Sequence, residues 1–203
     1  MTALQDQFGQ IDIYLFDQLL RGRIPAGSRI LDAGCGSGRN LVYFLREGYE
    51  VSGVDADPLA VADTRRLAAA LAPSLPATNF RVEAVEEMSF ADSFASVVIL
   101  SAVLHFARDE EHFRAMVAGA WRVVGNGGLF FCRLASTIGI ERQIQPLSGR
   151  RYLLPDGSER FLVDEALLMN LTTELGGRLL DPLKTTVVQN QRSMTTWVLR
   201  KNA

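Results

Sequence analysis

The feature of this sequence that restricts its fold most is a glycine-rich turn directly after a short apolar stretch. Arg29-Ile30-Leu31 predicts a buried strand, and it runs into Asp32-Ala33-Gly34-Cys35-Gly36-Ser37-Gly38. Small residues at every second position of that segment favour a tight turn. Each glycine gives up roughly 0.5 to 1 kcal/mol relative to alanine in ordered structure. Three of them therefore indicate a backbone that a ligand approaches closely.

Strands and helices alternate on both sides of this turn. The spacing of apolar residues over 10–22 predicts an amphipathic helix before it. Periodicity and turn signals after it predict strands over 49–54, 80–85, 94–100 and 129–133, separated by helices over 40–47, 58–72 and 109–124. Such alternation is typical of βαβ units, which form a parallel sheet with right-handed crossovers.

The chain after the fifth strand departs from this alternation. Residues 136–160 contain prolines and glycines and are too long for a plain connection, so they predict either a lid or a small elaboration over the sheet. A helix is predicted over 163–175, followed by a hairpin of strands 184–189 and 194–201. We therefore predict an α/β, Rossmann-like, doubly wound and mostly parallel seven-stranded sheet with an antiparallel C-terminal strand.

Composition and charge exclude several classes of protein. The 203 residues include 21 Lys plus Arg and 23 Asp plus Glu, a net charge of −2, which disfavours nucleic acid as a partner. Cys35 and Cys132 have no Cys or His cluster around them, so we expect no disulfide, no metal and a cytoplasmic location. The least polar stretch, 94–107, contains Ser and His and is too short to span a membrane. A single domain, monomeric or homodimeric, is expected.

Three kinds of ligand compete for the glycine turn. A P-loop fails because Arg39 stands where that motif needs the last glycine, and the dinucleotide fingerprint fails because Arg39 or Leu41 stands at its third glycine. Asp32 at the mouth of the turn would repel a pyrophosphate, which favours helix N–H groups without a neighbouring anion. A carboxylate there favours a ligand that carries a cationic amine.

Five segments in order resemble one family. Ile30 to Asn40 resembles the glycine motif of class I S-adenosylmethionine-dependent methyltransferases, and Gly53-Val54-Asp55-Ala56-Asp57 resembles their second motif. Segments 86–90, 101–105 and 126–129 resemble the stretches after the third strand, after the fourth and before the fifth. The resemblance implies the cofactor S-adenosylmethionine, whose ammonium and sulfonium suit an acidic turn, and methyl transfer to a small-molecule acceptor.

The resemblance also implies which residues bind this cofactor. Asp32 and the backbone of the turn would face its methionine end, Asp55 would accept from the ribose hydroxyls, and Ala56 or Asp57 would lie near the adenine. Ala84-Val85 stands where the family commonly has an acidic residue followed by alanine, so the Val85 backbone would bind the ring, with Glu83 or Glu86 as a substitute. The predicted set is Asp32, Gly34, Cys35, Gly36, Gly38, Asn40, Asp55, Ala56, Ala84, Val85, Glu86 and Ser101.

Two residues are catalytic candidates. His105 should lie just past the carboxyl end of the central strand, as a general base or substrate contact, or else as a packing or capping residue. Tyr14, together with Asp12 on the N-terminal helix, could close over the methyl group, or be part of the core. Arg133 would meet an anionic substrate or form a surface ion pair. The arginines of 136–160 are interpreted as solvated.

The family resemblance divides the single domain into four parts. Residues 1–28 form an N-terminal helix or cap, 29–135 the cofactor-binding core, 136–162 the lid or substrate insert, and 163–203 the C-terminal helix and hairpin. Two alternatives to a methyltransferase stay open. One is a protein that binds S-adenosylmethionine or its product without transferring the methyl group. The other is a nicotinamide-dependent oxidoreductase, against which the incomplete dinucleotide fingerprint argues.

Overall fold

The computed structural model describes residues 3–202, and their centre is a mixed β-sheet. Its five parallel strands lie side by side in the order β3-β2-β1-β4-β5. They are β1 (Arg29–Ala33), β2 (Glu50–Asp55), β3 (Phe80–Val82), β4 (Ala95–Ser101) and β5 (Val124–Ala135). The strand order reverses between β1 and β4, which is the point where open α/β sheets form a crevice at the carboxyl ends of their strands.

Beyond β5 the sheet continues with antiparallel strands. Strand β11 (Arg192–Lys201) pairs antiparallel with β5, and β10 (Lys184–Val188) pairs antiparallel with β11 through a hairpin. A further short strand, β9 (Gly177–Leu179), also pairs with β11. The predicted fold class is therefore confirmed, with β9 added as an eighth strand. The three residues of β9 are too few to show the alternation of apolar and polar residues that indicates a strand in a sequence.

Helices cover both faces of the sheet. They are α1 (Ala3–Phe8), α2 (Ile13–Leu20), α3 (Val42–Arg46), α4 (Pro58–Leu71), α5 (Glu110–Val123) and α6 (Glu165–Glu174). Helices α5 and α6 pack on one face, around Phe130 and Trp197, and helices α2, α3 and α4 pack on the other, around Ile30 and Phe131. Phe130 and Phe131 belong to opposite faces because side chains alternate along a strand. No helix in the described part of the chain is both long and apolar enough to cross a membrane.

Several predicted boundaries differ from the structure. The third strand ends at Val82 instead of residue 85, because Val85–Glu87 forms a 3-10 turn. The fifth strand begins at Val124, ahead of the predicted 129, and its pairing register with β4 shifts between Ala95 and Val97. Helix α3 covers only part of the predicted 40–47, and α2 only part of 10–22. Irregular turns and shifted registers leave no periodic signal in the sequence.

The segment after β5 contains a small sheet of its own. Strands β6 (Gln145–Ser148), β7 (Arg151–Leu153) and β8 (Glu159–Phe161) pair antiparallel. This three-stranded insert packs against α5, where the rings of Phe161 and Phe113 stack with centroids 4.7 Å apart. The predicted segments 1–28 and 163–203 include residues 1, 2 and 203, which lie outside the described residues.

Candidate functional site

A large cavity lies at the carboxyl ends of the parallel strands, beside the glycine turn. It has a volume of about 600 Å³, which is within the range of small-molecule sites. Ten of the twelve predicted cofactor residues line it. The lining comprises Gly34, Cys35, Gly36, Ser37, Arg39, Asn40, Asp55, Ala56, Ala84, Val85, Glu86, Ser101, Ala102, Val103, Phe106, Arg108, His112 and Met116. The structure thus brings residues from five separate segments of the chain to one cavity.

The glycine turn needs its glycines for two reasons. Gly34 and Gly36 have φ angles of +83° and +54°, which side-chain-bearing residues rarely adopt. A Cβ atom on Gly34 would lie 2.4 Å from a methyl carbon of Val103, so that position is also closed by packing. A Cβ atom on Gly36 would meet nothing within 4 Å. The Gly36 side of the turn is therefore open, as a close approach by a ligand requires.

Asp55 joins the end of β2 to the turn. Its carboxylate accepts a hydrogen bond from the N–H of Gly36 at 2.8 Å and another from the N–H of Asp57 at 3.0 Å. Ala56 lines the cavity. Asp57 does not line it; its carboxylate caps α4 by accepting from the N–H of Leu59 at 2.9 Å. The sequence had placed Asp57 as an alternative to Ala56, and its capping role explains why it turns away.

Asp32 lies in β1, directly before the turn, and does not line the cavity, although it was predicted to face the methionine end of the cofactor. It is 1% exposed, and neither carboxylate oxygen has a hydrogen-bond partner among residues 3–202. Burial raises the pKa of this carboxyl to about 8, although the nearby Arg39 opposes the shift. Arg39 offsets only part of the cost of ionising this buried carboxyl, so a further cation close by would stabilise its ionised form. The ammonium group of S-adenosylmethionine is such a cation.

Gly38 is the other predicted cofactor residue that does not line the cavity. Its φ is +81°, and a Cβ atom there would lie 2.7 Å from a methyl carbon of Leu67 on α4. Gly38 therefore lets the turn pack on α4. Cys35 does line the cavity, and burial raises the pKa of its thiol to about 12, so it is a small packing residue without thiolate character.

The wall opposite the glycine turn is built from the 3-10 turn Val85–Glu87 and the first turns of α5. Glu86 Oε1 lies 2.8 Å from Nε2 of His112, and Nδ1 of His112 accepts from the N–H of Arg108 at 3.1 Å. Because Nδ1 is an acceptor, Nε2 carries the proton and donates to Glu86. Glu83, the other substitute considered, instead accepts hydrogen bonds from the N–H and hydroxyl of Ser89.

His112 was not among the site residues predicted from the sequence. A signal was available, because His112 follows the N-cap Asp109 by three residues and precedes the buried Met116 by four, so it shares the inward face of α5. Among residues 3–202, no three His, Cys, Asp or Glu side chains are placed to hold a metal ion.

Comparison with known proteins gives the family. The sequence profile of a family described as a methyltransferase domain matches residues 30–128, which include the glycine turn, Asp55 and Glu86. Residues 30–128 form a methyltransferase domain, and the resemblance to class I S-adenosylmethionine-dependent methyltransferases is confirmed. S-adenosylmethionine is the cofactor of this family, so the cofactor prediction is confirmed.

Two curated relatives and one solved structure are similar to this chain. An uncharacterized methyltransferase of Synechocystis is 27% identical over 107 residues, which are 53% of this chain and 47% of the relative. An S-adenosyl-L-methionine-dependent Diels-Alderase of Talaromyces variabilis is 33% identical over 115 residues, 53% of this chain and 36% of the relative. The chain thus spans about half the length of one relative and about a third of the other.

The solved structure is that of a Burkholderia thailandensis 1,6-didemethyltoxoflavin-N1-methyltransferase with bound 1,6-didemethyltoxoflavin and S-adenosylhomocysteine. Its sequence is 17% identical, the match covers 96% of this chain and 80% of that one, and the TM-score is 0.71. At this identity the likeness shows a shared fold.

The two catalytic candidates predicted from the sequence, His105 and Tyr14, lie away from the large cavity. His105 and Phe106 belong to the 3-10 turn Leu104–Phe106, in which successive side chains point about 120° apart. Phe106 lines the large cavity, whereas His105 lines a second cavity of about 290 Å³. Burial, with a smaller contribution from Arg160, lowers the pKa of His105 to about 4. The ring is therefore neutral near pH 7.

Tyr14 lines neither cavity. Its hydroxyl lies 2.5 Å from Oγ1 of Thr186 on β10, and the guanidinium of Arg133 lies 5.4 Å from its ring centroid. This arrangement fits the alternative in which Tyr14 packs within the fold, because its polar end is already paired with another strand. A direct role over the methyl group is not supported by this placement.

A polar cluster that the sequence analysis did not assemble ties the N-terminal helix to the site. The buried Asp12 accepts hydrogen bonds from the hydroxyl of Ser101 at 3.0 Å and from Nη1 of Arg133 at 3.2 Å. Arg39 donates to the same hydroxyl at 2.9 Å, and the N–H of Asp12 donates to Asn40 at 3.0 Å. Asp12 thus fixes the start of α2 against the ends of β4 and β5, and Arg133 forms a partly buried ion pair.

Proposed function

We propose that this chain transfers the methyl group of S-adenosylmethionine to a small molecule. The observation that carries the proposal is the unpartnered, buried carboxylate of Asp32 beneath a glycine turn that opens into the large cavity. A cationic ligand would stabilise the ionised form of this group. A dinucleotide would place its pyrophosphate against the same charge, so the electrostatics favour the methyl donor.

The residues that would hold this cofactor follow from the cavity. Asp32 would supply negative charge near the ammonium group, and the backbone at Gly34 and Gly36 would allow close contact. Asp55 already accepts two hydrogen bonds, but a carboxylate has about four acceptor positions, so it can also accept from ribose hydroxyls. Val85 and Glu86 would lie along the adenine. The cofactor supplies a methyl group that is activated by the positive charge on sulfur.

The contribution of the protein would be to bind and orient both molecules. Holding a nucleophile in line with the methyl group, at about 3 to 3.5 Å, accounts for much of the acceleration available to such a displacement. We assign residues 29–135 to the cofactor, and 1–28 with 136–162 to the acceptor side. The two cavities, of about 600 and 290 Å³, suit small molecules. Both cysteines are free and buried, which suits the reducing cytoplasm.

Calorimetry and label transfer test the proposal. We expect S-adenosylhomocysteine to bind in the micromolar range, Asp55→Ala to weaken that binding at least 100-fold, and NAD not to bind. Asp63→Ala, at a half-exposed position of α4 that does not line the cavity, is the control and should bind normally. Transfer of labelled methyl to a component of a metabolite extract would support the enzyme. Binding without transfer to any acceptor would favour a binding protein, and no binding would refute the cofactor site.

A further inference from the structure

The second cavity adjoins the large one, and Ala102 lines both. Ala102 has a φ of +66°, which is uncommon for alanine, and its N–H donates to the carbonyl of Arg133 at 2.8 Å. This backbone turn separates the two spaces by the width of a single small residue. We call the second space the basic cavity; its polar lining residues are His105, Arg133, Asp156, Ser158, Arg160 and Arg192.

Positive charge exceeds negative charge in the basic cavity. Three guanidinium groups and one carboxylate line it, and His105 is neutral near pH 7. Because Arg133 is paired with Asp12, the excess of positive charge comes from Arg160 and Arg192. Asp156 is already engaged by Ser158, whose N–H and hydroxyl donate to it at 3.0 and 2.6 Å. Neither Arg160 nor Arg192 forms an ion pair within residues 3–202, although both lie near enough to help lower the pKa of Asp156.

Two buried nitrogen atoms at this cavity have no partner. His105 is 8% exposed, and its Nδ1 makes no hydrogen bond among the described residues. Nε of Arg133 is likewise unpartnered, although Nη1 of the same side chain pairs with Asp12. Buried polar atoms are nearly always hydrogen-bonded. Nε of Arg133 is always a donor, and Nδ1 of the neutral His105 ring donates when it carries the proton, so both nitrogens can pair with a ligand that accepts hydrogen bonds. Guanidinium groups favour carboxylate and phosphate oxygens in particular.

We propose that the basic cavity binds a carboxylate or phosphate group of the methyl acceptor, which makes the acceptor a small acidic molecule. This inference rests on the proposed function, because it assigns the acceptor to a space next to the cofactor cavity. Arg160 and Arg192 attract the oxyanion, while Arg133 and His105 offer the unpartnered nitrogens. The remainder of the acceptor extends past Ala102 toward the large cavity. The interpretation of Arg160 as merely solvated is replaced by a binding role.

Direct binding of two simple anions tests this inference. Inorganic phosphate and benzoate are titrated separately into the full chain saturated with S-adenosylhomocysteine, at constant ionic strength. At least one anion should bind, and the stronger of the two identifies the acidic group. Arg160→Gln and Arg192→Gln should each weaken binding at least tenfold. Arg46→Gln, an equal change of charge on the exposed side of α3, should stay within twofold of the unchanged protein.

The outcomes separate this inference from the function on which it rests. Binding of S-adenosylhomocysteine is measured first for every variant, and equal affinities show that each variant is folded. Failure of S-adenosylhomocysteine to bind the unchanged protein refutes the proposed function. If S-adenosylhomocysteine binds normally but neither anion binds, the inference about the basic cavity is overturned and the proposed function is not. An equal loss in Arg46→Gln also overturns it, because that result would trace the attraction to the general charge of the protein.

Discussion

The carboxylate of Asp55 accepts a hydrogen bond from the backbone N–H of Gly36 at 2.8 Å. The residue expected to contact the cofactor is thus also a residue that holds the glycine turn in shape. It accepts in addition from the N–H of Asp57, at the start of α4. Loss of affinity on substitution of Asp55 therefore includes a contribution from the turn itself.

Substitution of Asp55 should lower stability as well as affinity. Asp55→Ala leaves two backbone N–H groups without their acceptor, and we expect the free energy of unfolding to fall by about 1 to 2 kcal/mol. Asp55→Asn keeps one oxygen acceptor and should lose about half as much. Urea unfolding without ligand measures both changes. Equal stability of Asp55→Ala and the unchanged protein would contradict a role of Asp55 in the turn.

Asp32→Asn should stabilise the ligand-free protein at alkaline pH. The folded state raises the pKa of Asp32 to about 8 from its ordinary value of 3.8, so folding favours the protonated form. Its contribution to stability is complete below about pH 4 and is lost as the pH rises to 8. At about 1.4 kcal/mol for each pKa unit, the loss reaches several kcal/mol. Unfolding of both proteins between pH 5 and 8.5 should show the variant gaining relative stability as pH rises.

The same substitution should remove a pH dependence of binding. A cationic ligand favours ionised Asp32. In the unchanged protein, the affinity for S-adenosylhomocysteine should therefore increase by up to tenfold for each unit by which the pH is raised, up to about pH 8. Asp32→Asn should bind more weakly, with little slope over that range. Calorimetry at pH 6, 7 and 8 gives both values. A slope that persists in the variant would assign the titration to another group.

His105 should limit stability in acid. Its pKa is lowered from 6.5 to about 4 in the folded state, so folding favours the neutral ring. The stability contributed by His105 is complete above about pH 6.5 and is lost as the pH falls through 4, with a total of about 3 kcal/mol. His105→Asn cannot titrate there, and the difference in unfolding free energy between the two proteins should shrink as the pH falls. A difference that is constant between pH 7 and 4.5 would show that the ring protonates freely in the folded state.

Gly119 permits the contact between α5 and the wall that carries Glu86. A Cβ atom on Gly119 would lie 2.7 Å from the carbonyl oxygen of Val85 and 3.0 Å from Cα of Glu86. Helix propensity alone predicts that Gly119→Ala stabilises α5 by about 1 kcal/mol. We expect instead a loss of about 1 to 3 kcal/mol, because backbone atoms must move, and a weaker affinity for S-adenosylhomocysteine.

The exposed neighbour Ala118 provides the control for this change. Ala118→Gly should lose about 1 kcal/mol by propensity alone and leave the affinity unaltered. Thermal unfolding measures the stability of Gly119→Ala and Ala118→Gly, and calorimetry measures their affinity for S-adenosylhomocysteine. The comparison separates the effect of packing from that of helix propensity. A stabilised Gly119→Ala would mean that α5 can shift away from the Val85–Glu87 turn without strain.

Features encoded by adjacent residues were predictable. The turn at Gly34 and Gly36 needs positive φ angles, and glycine is the residue that supplies them. The position of Asp55 follows from its place after a buried stretch, because parallel strands present their carboxyl ends at one edge. The hairpin between β10 and β11 was also predictable, since Gln189 and Asn190 occupy left-handed conformations between two alternating stretches.

Features that depend on the direction of a side chain or on distant contacts came from the tertiary structure alone. The 3-10 turn sends Phe106 to the large cavity and His105 to the basic cavity, and periodicity does not foresee that division. Glu86 and His112 are 26 residues apart, and Asp12 and Ser101 are 89 apart. Such pairs form because helices and strands pack together, and the geometry of packing is set by many side chains at once. Local patterns thus decided the sheet and the glycine turn, and packing decided which charged groups line the basic cavity.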